Sequence, residues 1–265
     1  MVSDSIQELT QYLKILDGVP CKEEIDVGLG LLKKSLKRGN SLSNAACIPL
    51  LEKLVAFDAD VFAGSYLKCF ELVSVCLQSE YSEVRNFGLE VLEKITESDG
   101  LLNGAAEEFA LGFVSKYIVC GDDDVEWCCL DLILKIKDKR VVSSLIQATK
   151  SRHSDEFFVY LSELIIDKVP ESRSGCLVRI LNRENKVPAR WAASRGLVLK
   201  APQAAVRFVE KAFASETCIT CQLNLAGYLF IVTQDYDKLA FIRSCFANCD
   251  IEVAREARQV FDLVN

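Results

Sequence analysis

Two pairs of cysteines carry the spacings that most often do chemistry: Cys218 and Cys221 form a CxxC, and Cys245 and Cys249 a CxxxC about one helical unit further on. On a helix, steps of three and four put both thiols of a pair on one face, so two such pairs on neighbouring helices have the composition of a tetrahedral zinc site. Against that reading, the chain holds 12 cysteines, and others such as Cys69, Cys76, Cys128 and Cys129 follow the same core-type spacing with no second pair. Cysteine in that pattern serves as a small apolar residue. The expectation is reduced thiols, no metal and no cofactor. His153 is the single histidine, which removes every site built from several imidazoles. No GxGxxG, Walker-type loop, GxSxG or HExxH occurs, so nucleotide-dependent and hydrolytic chemistry have no sequence support and the chain is read as a non-enzyme.

The elements that position these residues follow from one recurring register. Val84, Val125, Phe158, Ala189, Gln222 and Val253 each open a stretch with a small residue four positions later (Gly88, Cys129, Ser162, Ala193, Ala226, Ala257). Bulky residues stand eight positions after each opening: Leu92, Ile133, Ile166, Leu197, Phe230 and Phe261. Those offsets form one stripe at 3.6 residues per turn, and the openings are 41, 33, 31, 33 and 31 residues apart, the range of tandem helical repeats. Short polar turns separate the helices, with Ser82 and Ser154 as expected N-caps and Asp124 as a favourable negative charge at a helix start. Pro170, Pro188 and Pro202 fall at the expected boundaries, and the long interval holds Ser98-Asp99-Gly100 and Asn103-Gly104, a loop with room for a short extra helix. Helical patterns over Ser3 to Leu16, Glu23 to Arg38 and Ser43 to Phe57 precede the array, and a fourth over Asp60 to Gln78 opens it. The domain expectation is one continuous body over residues 1–265, with capping helices in 1–58 and six regular repeats in 59–265.

Composition sets limits on partners. Half the residues are apolar and 26% charged, ordinary for a chain with a sizeable core. The start of the chain is amphipathic and acidic, unlike a signal peptide, and no apolar run approaches a membrane span, so a soluble protein of cytosol or nucleus is expected. The net charge of −7 is uneven: residues 1–170 carry 18 Lys and Arg against 28 Asp and Glu, whereas 171–265 carry 13 against 10. Between Lys168 and Lys211 ten cations face three anions, a local basic surface suited to an acidic protein segment. An acidic chain without a continuous basic stripe is expected not to bind nucleic acid.

The same register fixes the outward face. Offsets two, six and nine point away from the stripe, and offset two reads Asn86, Trp127, Tyr160, Trp191, Asn224 and Arg255. Offset six adds Glu90, Asp131, Leu164, Arg195, Tyr228 and Gln259. Large amphipathic aromatics on solvent-facing positions of neighbouring helices suit protein recognition, because they offer area to bury, a polar tip to pair and little entropy to lose. Trp127, Tyr160, Trp191 and Tyr228 are the expected partner-binding aromatics, with Arg190 and Arg195 selecting an acidic or amphipathic segment.

The openings Glu83-Val84-Arg85, Asp124-Val125-Glu126 and Glu252-Val253-Ala254 resemble second helices of HEAT and armadillo units, over roughly Asp60 to Asn265. Gln222 departs from that pattern with a polar opening residue. The resemblance implies an all-α, right-handed α-solenoid of about seven to eight HEAT/armadillo-like helix pairs whose concave face binds another protein, as in scaffolds, adaptors and assembly chaperones. A second resemblance, to HEAT-like DNA glycosylases for alkylated bases, implies an alternative in which Trp127, Trp191, Arg195 and Asp131 or Asp167 act on a flipped base.

Overall fold

The computed structural model describes residues 22–36, 47, 49, 66–79, 82–97, 102, 104–150, 153–181 and 186–264. Every regular element among them is helical. The chain divides into two compact units, Met1–Val141 and Val142–Asn265.

In the first unit, α1 (Lys22–Leu36) packs on α2 (Tyr66–Cys76), and α2 on α3 (Ser82–Glu97) and α4 (Gly104–Tyr117). α5 (Asp123–Lys135) then packs on α3 and α4. The pattern expected over Glu23 to Arg38 is α1, and the one over Asp60 to Gln78 contains α2; of the one over Ser43 to Phe57 only Cys47 and Pro49 are described, both helical, and the one over Ser3 to Leu16 and the loop at Ser98-Asp99-Gly100 lie outside the described residues. Asp122 caps α5, its carboxylate accepting the Val125 N–H at 3.2 Å, so the cap stands two residues before the Asp124 expected to charge this helix start. Phe70 meets Phe109 and Phe113, and Phe113 meets Tyr117, a run of rings joining α2 to α4.

In the second unit, the helices carrying the register pack in succession. α7 (Asp155–Lys168) lies against α9 (Val187–Lys200), α9 against α11 (Ile219–Thr233), and α11 against α13 (Ile251–Val264). The last three also pack on the helix before them in the chain: α8 (Val178–Leu181) on α9, α10 (Val206–Ser215) on α11, and α12 (Tyr236–Ser244) on α13. α6 (Val141–Ala148) begins at the boundary between the units. Ser154 caps α7 by accepting the Phe157 N–H, and Pro188 sits in the first turn of α9, where a missing N–H costs nothing. The stripe is buried as expected at Val84, Val125, Phe158, Ala189 and Val253, and at all six small positions; Gln222, Ile166 and Phe261 are only partly so.

Two glycines, Gly88 at a small position of the register and Gly227 one residue after the small position Ala226, stand where helices come close. A Cβ on Gly227 would stand 2.6 Å from Val260 Cγ1, so α13 approaches α11 at a distance that only glycine allows. On Gly88 it would stand 2.7 Å from Cys76 Cβ, the same device between α3 and α2. Both close approaches bury apolar area against a neighbouring helix, the main source of stability for helices this short.

No helix of the described residues is long and apolar enough to cross a membrane.

Candidate functional site

α11 is the helix around which the second unit's polar groups collect. Residues Leu223 through Phe230 are buried without interruption, because α9 and α13 flank the helix and α10 and α12 cover it. The offset rule therefore fails on this helix. Tyr228, expected to face a partner, is fully buried, and its hydroxyl donates to the Pro202 carbonyl at 2.6 Å. That bond holds the corner after α9, where Ala201 takes a left-handed conformation at φ 41°. Burial, with Glu210 nearby, pushes the Tyr228 phenol up to about 12. Leu164 on α7, also expected outside, is buried as well.

Asn224 is likewise inside, and it joins a network across three successive helices. Its Nδ2 donates to Glu256 Oε1 at 2.6 Å and to the Thr220 carbonyl at 3.1 Å. Trp191 Nε1 donates to the same Glu256 oxygen at 3.1 Å, and Arg195 Nη1 stands 3.9 Å from it. Glu256 is a buried carboxylate, so its charge is tolerable only with these donors around it. Arg195 Nη1 and Asn224 Oδ1 are buried and make no hydrogen bond among the described residues. The indole of Trp191, held at its nitrogen, keeps 36% of its surface exposed.

Beside this network, Arg190 forms a bidentate pair with Glu216, Nε to Oε2 at 2.9 Å and Nη2 to Oε1 at 3.1 Å. Glu216 Oε1 also accepts the N–H groups of Thr217 and Cys218, each at 2.9 Å. Arg190, expected to attract an acidic partner, is thus engaged in fixing the entry to α11. Burial works against the charge of Glu216, but Arg190 and the two N–H groups outweigh it and hold its carboxyl below the usual range. A depressed folded-state pKa gives stability that is fully present above the unfolded value of about 4.3 and is lost as pH falls through the lower folded value. Urea midpoints of the wild type and Glu216→Gln should therefore differ by a constant amount at neutral pH and converge on acidification below about pH 4. A gap that persists unchanged into acid would remove this pair as the source.

Trp127 on α5 and Tyr160 on α7 are partly exposed. Of the residues cast for base excision, Trp127 and Asp131 belong to the first unit and Trp191, Arg195 and the exposed Asp167 to the second. Within the basic stretch, Arg179 donates to the Ile146 carbonyl and Thr149 Oγ1, each at 3.3 Å, and Lys186 is tied to Asp155 through its N–H at 2.8 Å. Cys218 and Cys221 stand at the start of α11, whereas Cys245 is in the core with Leu223, Ala226 and Ile242, and Cys249 is exposed. Among the described residues, no three His, Cys, Asp or Glu side chains converge as a metal site.

Glu256 escaped the sequence reading, yet it left a signal. It occupies the third position after a repeat opening, where the other repeats carry Phe87, Cys128, Leu161, Ala192 and Leu225. A lone carboxylate at an otherwise apolar offset implies buried donors nearby.

No protein-family model matches the chain, and no curated protein matches it. Among solved structures, it is similar to the crystal structure of an engineered protein from the Northeast Structural Genomics Consortium. The identity is 17% over 97% of this chain and 73% of that one, with a TM-score of 0.44. Two further engineered proteins from the same consortium are similar at 15% and 17% identity over 88% of this chain and 98% and 96% of theirs, with TM-scores of 0.32 and 0.31. Likenesses this shallow carry no functional argument. The class defined by the described residues is an all-helical protein.

Proposed function

We propose that this protein is a non-enzymatic binding scaffold of the α-solenoid type, an adaptor or assembly chaperone in cytosol or nucleus. Its occupant is an extended, acidic or amphipathic segment of another protein, held on the α7 and α9 positions Tyr160, Trp191 and Arg195. One observation carries the reading: the Trp191 indole is fixed by Glu256 while a third of its surface stays open. An aromatic already locked in place loses little entropy when a partner covers it, which is the property of an interface anchor. Arg195, partly exposed beside it, supplies the positive charge that favours an acidic segment. Further support is the succession of stripe-bearing helices α7, α9, α11 and α13, which is the packing that repeat units require.

A displayed peptide library panned against the full chain tests this. Selected peptides should be rich in Asp and Glu around an aromatic or aliphatic residue, and Trp191→Ala or Arg195→Ala should weaken them at least about tenfold, the effect of losing an anchor worth more than about 1.4 kcal/mol. Variant helicity is checked alongside. Binders that ignore both substitutions would place recognition elsewhere.

A further inference from the structure

The CxxC at the head of α11 has a geometry that metal binding and core packing leave unused. Cys218 holds the N-cap position of this helix and is partly exposed, whereas Cys221, one turn in, is buried. Positions three apart in a first helical turn hold their Cα atoms within disulfide range. The side chains of the two cysteines interact across this first turn. Thr220 Oγ1 stands 3.1 Å from Cys218 Sγ, and the Cys221 thiol donates to the Val187 carbonyl at 4.0 Å. Glu216, next in space, has its negative charge matched by Arg190.

We propose that Cys218 and Cys221 form a dithiol exchange site whose substrate is a low-molecular-weight disulfide such as oxidised glutathione. The Cys218 thiolate attacks one sulfur of that disulfide, the small S–S bond breaks, and one thiol leaves with a proton from solvent. Cys221 then loses its proton to solvent and attacks Cys218 Sγ, expelling the second small thiol. The protein loses two hydrogens and gains one intramolecular S–S bond; the small disulfide is reduced to two thiols. The division of labour is set by surroundings. Burial opposes ionisation of Cys218, but hydrogen bonds from the Thr220 hydroxyl, from Cys221 and from the Thr220 N–H outweigh it and hold the thiol below its ordinary range. At Cys221, burial, followed by the charges of Cys218 and Glu216, pushes the thiol well up, so it waits for the mixed disulfide before reacting. Exposed Cys120 is an internal control, its thiol pushed up by partial burial and by Glu126 and Asp122.

The test uses the whole reduced chain and graded ratios of oxidised to reduced glutathione, quenched with acid, alkylated and read by peptide mass spectrometry. The expected result is loss of two hydrogens from the peptide that carries both Cys218 and Cys221, at ratios where Cys120 is still a free thiol. In Cys221→Ser the glutathione adduct should stop at Cys218, and in Cys218→Ser no adduct should reach Cys221. Iodoacetamide should label reduced Cys218 at neutral pH about tenfold faster than Cys120. Wild-type chain in which both thiols remain alkylatable after Cys120 has been modified overturns the proposal, whatever the variants do. So does an adduct on Cys221 that forms without Cys218.

Discussion

Replacing Glu256 by Ala should cost about 3 kcal/mol, the low end of the range for orphaning a buried partner, and should be the most damaging single change in the polar network. Glu256 Oε1 is the acceptor shared by Trp191 Nε1 and Asn224 Nδ2, and its charge faces Arg195. Without it the indole N–H loses its acceptor, the Arg195 guanidinium loses the negative charge 3.9 Å away, and Asn224 keeps only the Thr220 carbonyl. Glu256→Gln keeps an acceptor oxygen of the same shape, so its cost should stay near about 1 kcal/mol, that of weakening hydrogen bonds without removing them. Urea unfolding followed by circular dichroism gives both numbers. If Glu256→Ala falls within about 0.5 kcal/mol of wild type, in the range of an ordinary surface change, the network carries no stability and Trp191 is not held by it.

Adding one methyl group to Gly227 should also destabilise the protein, by about 1–2 kcal/mol net, although alanine is the better helix former by roughly 1 kcal/mol. The new Cβ would stand 2.6 Å from Val260 Cγ1 and 3.4 Å from Val264 Cγ1. Val260 is fully buried and β-branched, so its methyl cannot rotate away, and α13 must move outward or lose packing. Gly112 on α4 supplies the contrast: nothing lies within 4 Å of its Cβ position, so Gly112→Ala should stabilise by roughly 0.5–1 kcal/mol. Opposite signs for the same chemical change are the expected outcome of paired thermal melts. In a double-mutant cycle, Val260→Ala should recover part of the Gly227→Ala loss, since it empties the space the new methyl takes. Strict additivity of the two would mean that the contact does not couple these helices.

Much of the fold was legible because a helix repeats every 3.6 residues, and a stripe repeated along the chain shows which face each helix buries. Val84, Val125, Phe158 and Val253 are core residues for that reason. The candidate site was legible only in part. Trp191 stands partly open as its offset implied, but Asn224 at the same offset and Tyr228 one turn on are inside. The stripe says where a helix meets one neighbour, while α11 meets four, and four neighbours leave it no outward face. Its run from Leu223 to Phe230, apolar on nearly every side, carried that information in the sequence, since a helix apolar all round is a buried one.

The sequence by itself determined the helical class, the segment boundaries marked by Ser154 and Pro188, and the close-packed small positions. All of these follow from interactions within a turn or from a period along one chain. Only the tertiary structure decided that Glu256 accepts from Trp191 and Asn224, that Arg190 is taken by Glu216, and that the Tyr228 hydroxyl serves the Pro202 carbonyl. These pairs join residues 26 to 65 positions apart. Hydrogen-bond reach is about 3 Å, and no periodicity along a chain encodes which distant atoms come that close.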